Sequence, residues 1–428
     1  MKCGFAQTII TPRPADVFQD GYGFRLHAAE GVRDELYAKV CAIEDGDFRF
    51  AIVSLDVCGL SPALDREVRG HIAAIAGLCP DRIAICATHT HAGPACGVLR
   101  DLPINGLVWA QIAVLAGRAA KEAFEKAVPG RFAAAFGRDL THLHNRRFRK
   151  PFDPRVRTAV FLDEAGAVRG ILASAACHAV VNTSYLLSAD FPGYLTREAL
   201  RRYGIPALFL QGADGDINPY FGGEAFSEEN LALLGEEFAS CVLDAVPSCS
   251  PVEARPARAA VVRGTLPMRG YPDEDTLAGK LAALEARYYA CPDSPTDAVP
   301  QRILLRELLW TRDALARVRA GERHPTLSVP AMAMTAGGLG FVFSPFELLT
   351  LTGQSINAQL ASLGIPDAAR FVAAYANGTN GYLATASELP SGGYEFESAP
   401  QWYGIPFCSD KTEGAYLALT AEAAAALK

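Results

Sequence analysis

The sequence predicts an α/β protein: a large mixed β-sheet core flanked by helices, with an accessory αα-hairpin. Three observations carry this prediction. Short apolar runs rich in β-branched residues alternate with longer segments of helical period. The runs are apolar throughout, as strands buried on both faces are. Residues 270–323 interrupt the alternation with two consecutive amphipathic patterns.

The composition bounds the answer further. Half of the 428 residues are hydrophobic and one-fifth are charged. That excludes intrinsic disorder and leaves enough chain for a sizeable core. A net charge of −7 lacks the basic footprint of nucleic-acid binding. No apolar run reaches the length of about 18 residues that a membrane helix needs. Met1–Thr8 shows no apolar signal core, so no export signal is expected. The 11 cysteines form no CxxC pairs, and several sit in apolar runs. They read as small buried hydrophobes in a reducing compartment, which makes a cytoplasmic location the expectation and a thiolate zinc site an unexpected outcome.

The elements follow in order. Phe50–Leu55 is a strand closed by Asp56. Glu67–Leu78 is helical, with Val68, Ile72 and Ile75 on one face. Arg82–Thr88 is a second strand and Val108–Ala127 a long Ala-rich helix. Arg157–Leu162 and Val168–Ala176 form a hairpin. Tyr194–Tyr203 is a helix and Ala207–Leu210 a strand. Ser227 caps a helix running to Ala245. Leu277, Leu281, Leu284 and Tyr288 fall at i, i+4, i+7 and i+11, and Leu304, Leu308, Leu315 and Val318 at i, i+4, i+11 and i+14, again one helical face. A Pro-rich break at residues 291–300 separates them. This reads as an αα-hairpin packed on a single 1–428 domain, or as two unrelated surface helices. Strands resume at Leu327–Met334 and Leu339–Phe343, followed by a helix from Glu347 to Leu363.

The eight histidines are informative because they are few. His89 and His91 lie in Ala87-Thr-His-Thr-His-Ala-Gly-Pro94, directly after a strand. Strand alternation lets both point to one side, and strand ends are where α/β proteins keep their sites. The pair reads as two metal ligands, as one ligand with one acid/base group, or as a turn cap before Gly93-Pro94. His178 ends another apolar strand and reads equally as a ligand or a satisfied core histidine. His142 and His144 form a second His-x-His flanked by Arg146 and Arg147, a weaker metal candidate. Either arginine suits an anionic or carbonyl group of a substrate. Gln211-Gly-Ala-Asp-Gly-Asp-Ile-Asn-Pro219 supplies Asp214 and Asp216 beside glycines that admit close backbone approach. It matches neither a P-loop nor an EF-hand. No Gly-x-Ser-x-Gly elbow is present.

Five segments in one order resemble the catalytic domain of the neutral/alkaline non-lysosomal ceramidase family. They are Ala-Thr-His-Thr-His-Ala-Gly-Pro, Ser-Ala-Asp-Phe-Pro-Gly-Tyr (188–194), Gly-Ala-Asp-Gly-Asp-Ile-Asn-Pro, Ser-Pro-Phe-Glu-Leu (344–348) and Tyr-Ala-Asn-Gly-Thr-Asn-Gly-Tyr-Leu-Ala-Thr (375–385). The resemblance implies one zinc ion per chain, held by His89, His178, Glu347 and Tyr382. It also places family residues on His91, Arg146 and Tyr394. Zinc acidifies a bound water towards a pKa of about 7. His91 is then the expected proton shuttle. Tyr394 and Arg146 are the expected oxyanion stabilisers. Asp216 is expected to orient a ligand histidine from behind.

Two departures shape the functional expectation. The family serine of Gly-Asp-x-Ser-Pro-Asn is Asn218 here, so a serine-dependent step does not carry over. No counterpart of the family's C-terminal immunoglobulin-like domain is expected within these 428 residues. The expectation is a zinc-dependent hydrolase of a carbon–nitrogen bond in a small amide other than ceramide. The alternatives are a zinc esterase, lactonase or deacetylase, and a non-catalytic binding protein of the same fold.

Overall fold

A computed structural model of the chain describes residues 1–147, 152–223, 226–290 and 298–428. The main sheet runs in the order Ala207–Gln211, Val168–Ala175, Arg155–Asp163, Val128–Asp139, Lys2–Ile9, Tyr37–Asp45, Phe48–Leu55, Ile83–Ala87, with Ser250–Pro251 added to Val128–Asp139. Its middle is antiparallel. Each end is a parallel pair: Phe48–Leu55 with Ile83–Ala87, and Val168–Ala175 with Ala207–Gln211. The sheet curls until these two ends meet. Ser54 Oγ donates to the Phe209 carbonyl at 2.7 Å, and Gln211 Nε2 to the Thr88 carbonyl at 3.4 Å.

A second sheet pairs Arg258–Pro267, Thr326–Ala336 and Leu339–Phe343 antiparallel, then adds Arg370–Ala373 parallel to Leu339–Phe343. These two sheets therefore hold three parallel strand pairs, and the chain leaving each of them turns towards one place. Parallel strands must be buried on both faces, and Ile83–Ala87, Ala207–Gln211 and Leu339–Phe343 are buried throughout and apolar but for the terminal Gln211, as that demands.

Helices cover the sheets. Pro62–Ala76 and Gly106–Glu125 pack together on one side, and Phe191–Tyr203 and Glu228–Leu243 on another. Ser227 caps the last of these through Asn230 N, as expected. The Ser-Ala-Asp-Phe-Pro-Gly-Tyr segment is a helix start: Asp190 accepts from Phe191 N at 2.8 Å and from Asn182 N at 2.7 Å. Glu274–Ala290 and Ala298–Arg319 pack against each other, burying Leu277, Leu284, Leu308, Leu315 and Val318. The hairpin reading thus holds over the two-helix alternative. Residues 291–297 of its expected Pro-rich break lie outside the described residues, and 298–300 already belong to the second helix. No helix among the described residues is long and apolar enough to cross a membrane.

One expected element is corrected. The helix expected from Glu347 begins only at Thr350. Glu347–Leu348 is a two-residue strand parallel to Tyr382–Leu383, and Glu347 N donates to the Gly381 carbonyl at 2.9 Å. The extended backbone lets Glu347 aim inward, which a helical turn would not.

Candidate active site

The carboxyl ends of the three parallel pairs bring His89, His178 and Glu347 together. Their ligand atoms all lie within 4.8 Å of one another. His89 Nε2 stands 3.8 Å from Glu347 Oε2, and His178 Nε2 stands 3.6 Å from the same oxygen. Tyr382, on the strand paired with Glu347, places its hydroxyl 3.4 Å from His178 Nε2. All four residues expected to hold zinc therefore converge.

His89 arrives by a different route from the one the spacing suggested. The strand ends at Ala87, and His89 adopts a left-handed backbone with φ 64°. Such a conformation is uncommon for a residue with a Cβ and persists only where surroundings over-determine it. Here His89 N donates to the Val57 carbonyl at 3.0 Å, and its ring stacks on Tyr375 with centroids 3.8 Å apart. The local kink, rather than strand alternation, puts both histidines of the motif in one place. His91 Nε2 ends 3.1 Å from His89 Nε2.

Both candidate ligand histidines are fixed from behind. His89 Nδ1 meets the Cys58 carbonyl at 2.7 Å, and His178 Nδ1 meets the Asp214 carbonyl at 2.8 Å. A carbonyl accepts only, so each Nδ1 carries the proton and each Nε2 presents a lone pair to the cluster. Burial pushes the pKa of both rings down to about 3, which keeps them neutral. Two neutral imidazoles, a carboxylate and a phenol form a donor set that fits zinc and suits magnesium or calcium poorly. Cys58 also lies near His89 and His91. Its sulfur faces His89 Nδ1, the nitrogen already engaged by the Cys58 carbonyl, and burial pushes its thiol pKa well up. The His89–His178–Glu347 group is the better metal candidate.

Arg146 sits beside this group, but each of its nitrogens has a protein partner. Nη2 donates to the Tyr382 hydroxyl and the Gly215 carbonyl, both at 2.9 Å. Nη1 donates to Asn218 Oδ1 at 3.2 Å and Nε to Glu395 at 3.0 Å. Burial opposes its charge, yet Tyr382 and Glu395 hold its pKa above the ordinary value. Arg147 is likewise bonded to Glu395 and the Gly392 carbonyl. Neither arginine is free to take a substrate anion. Tyr394 stands at the mouth, 47% exposed, with its ring centroid 6.0 Å from that of Tyr382. Burial of its hydroxyl pushes the pKa up to about 12, leaving a neutral phenol able to donate.

Asp216 does not reach a ligand histidine. Its carboxylate accepts from Thr350 N and Oγ1, both at 2.8 Å, and from Asn145 Nδ2 at 2.7 Å. It ties the loop to the start of the Thr350–Ala361 helix. Asp214 is the aspartate that faces a candidate ligand histidine: besides its carbonyl, its Oδ2 lies 3.4 Å from His178 Nδ1. The second His-x-His lies apart. His142 Nδ1 meets Glu237 at 2.8 Å, and its ring packs on Phe221.

Two tyrosines escaped the sequence reading. Tyr375 donates to Asp214 Oδ1 at 2.7 Å and lies 3.2 Å from Glu347 Oε2. Tyr403 donates to Glu347 Oε1. Tyr375 opens the 375–385 segment already singled out, so its position carried a signal. Tyr403, in the short helix Ala399–Tyr403, had none.

No family model matches the chain. Solved structures match it along its whole length, two of them as follows. One is the neutral ceramidase of Pseudomonas aeruginosa, 20% identical, with 74% of that chain covered and a TM-score of 0.76. The other is a ceramidase complexed with C2, 19% identical, with 75% of that chain covered and a TM-score of 0.75. The expected resemblance is thus met in the architecture, and from end to end this chain has the neutral ceramidase fold.

Proposed function

We propose that the chain is a zinc-dependent hydrolase of an amide-type carbon–nitrogen bond, with residues 1–428 acting as one catalytic unit into which the 270–323 hairpin is inserted. One observation supports it above the others. His89 and His178 are both neutral, both held at Nδ1 by a backbone carbonyl, and both aim Nε2 at the same oxygen of Glu347. A ligand histidine is held at one nitrogen by an acceptor behind it and turns the other towards the metal and its fellow ligands.

His89, His178, Glu347 and Tyr382 would hold the ion, which when bound supplies an acidified water and a Lewis acid for the carbonyl. His91 lies where it can take the water's proton and pass it to the departing nitrogen. Water adds across the bond, giving a carboxylic acid and an amine. Tyr394 donates to the carbonyl oxygen as charge develops on it. Arg146 supports this indirectly, by fixing the Tyr382 hydroxyl. Asn218 has no nucleophilic part: it accepts from Arg146. For that reason the proposed substrate is a small amide other than ceramide. A panel of amides and matched esters compared by kcat/KM tests the reading. Amide turnover that disappears in His91→Ala is the expected result. Ester turnover alone, or none, would contradict it.

A further inference from the structure

The accessory hairpin meets the site through two arginines one turn apart on its second helix. Arg302 is buried and fully committed. It pairs with Asp101 and donates to the carbonyls of Tyr22, Gly23 and Arg25 at 3.3, 3.0 and 2.9 Å. These bonds pin a loop that bridges the site. A Cβ at Gly21 would come within 2.3 Å of the His91 ring, and one at Gly23 within 2.9 Å of Trp402.

Arg306 has no such commitments. Its guanidinium lies 4.6 Å from the centroid of the Trp402 ring. Its Nε is buried without a hydrogen-bond partner, and no carboxylate among the described residues pairs with it. The two carboxylates whose charge it feels are taken: Glu307 by Lys280 at 2.9 Å, and Asp101 by Arg302. The third group it feels is the Tyr394 hydroxyl, which also feels Glu347 and Arg146. Tyr403, next to the Trp402 on which Arg306 rests, bonds Glu347. Arg306 is thus a half-buried, uncompensated cation at the mouth, beside the groups that lead inward to the candidate metal ligands.

We infer that the substrate carries a carboxylate and that Arg306 recognises it, an N-acylated amino acid being the simplest amide of this kind. The inference rests on the hydrolase reading and extends it to a substrate class. A guanidinium is always charged, and its planar fork matches a carboxylate in two parallel hydrogen bonds. Stacking on an indole holds that plane flat before the ligand arrives, which lowers the ordering cost of binding. The substrate carboxylate then anchors at the mouth while the scissile carbonyl points to the cluster.

The test compares N-hexanoylglycine with N-propylhexanamide, a neutral amide of the same length, on the zinc-loaded full chain. Wild type should favour the acid in kcat/KM by about tenfold or more, the size expected for hydrogen bonds to charged groups. Arg306→Met should erase the preference by slowing the acid alone, and Arg306→Lys should keep part of it. No preference in wild type, or an equal fall for both compounds in Arg306→Met, overturns the inference. Titration calorimetry with the same two compounds separates it from the hydrolase reading. If neither compound is cleaved, the hydrolase reading fails. Tighter binding of the acid, lost in Arg306→Met, still supports recognition by Arg306, and equal binding of both overturns it.

Discussion

The chain carries two His-x-His motifs with the same spacing and opposite fates. At 89–91 the motif follows a fully buried strand, kinks through a left-handed residue, and ends with two imidazole Nε2 atoms 3.1 Å apart. At 142–144 it forms part of the short strand Leu143–Asn145, with His142 drawn to Glu237 on a surface helix. In the first pair His89 turns Nε2 towards Glu347 while the Cys58 carbonyl holds its Nδ1. In the second, a neighbouring carboxylate takes His142 and His144 packs on Tyr220. Spacing therefore states only that two rings can be near each other. What sets His89 and His178 apart is the carbonyl behind each ring and the shared Glu347 oxygen in front of it.

That contrast can be broken by mutation. His89→Ala should lower kcat/KM for an amide by more than about a hundredfold, since losing even a partner behind a ligand costs about 10–100-fold. His142→Ala should change it by less than about twofold. Steady-state kinetics on the two variants decides it, and equal effects would remove the distinction. Arg146→Met, which strips the Tyr382 hydroxyl of its donor, should lower kcat by about a hundredfold with KM nearly constant, in the range known for lost oxyanion-site donors. A rise in KM alone would make Arg146 a binding residue.

The two aspartates of the 211–219 loop sharpen the same point. Asp214→Asn should weaken zinc affinity by about tenfold or more through His178 and Tyr375, measured by competition with a chelator. Asp216→Asn should leave affinity unchanged and destabilise the fold by about 1–3 kcal/mol in denaturant unfolding, because it loosens bonds to Thr350 and Asn145. The reverse outcome would restore the ligand-orienting role to Asp216. Tyr403→Phe should have the smallest effect, a few-fold loss of affinity, since Glu347 retains Tyr375 nearby.

Much of this was legible in the sequence, for physical reasons. Strands buried on both faces are largely apolar, so Phe50–Leu55, Arg82–Thr88 and Ala207–Leu210 stood out, and the site residues follow them. The hairpin showed itself through Leu277, Leu284, Leu308 and Leu315, which are buried where the two helices meet. Less visible was anything set by a backbone turn or a distant partner. Period-2 reasoning brought His89 and His91 to one side although the strand had already ended. The choice between Asp214 and Asp216 depends on which of them faces His178, and two residues in one Gly-rich loop carry no mark of that. Glu347 read as a helix start because its partner, Tyr382, lies 35 residues on. Tyr403 and Arg306 matter only through what they touch.

Metal content on the purified chain is the most direct test of the cluster. Wild type, His178→Ala and His142→Ala should each be loaded with zinc, desalted and measured by elemental analysis. About one zinc per chain in wild type and His142→Ala, and none in His178→Ala, is the expected result. Zinc retained in His178→Ala, or absent from wild type, would contradict a metal site built on His89, His178, Glu347 and Tyr382.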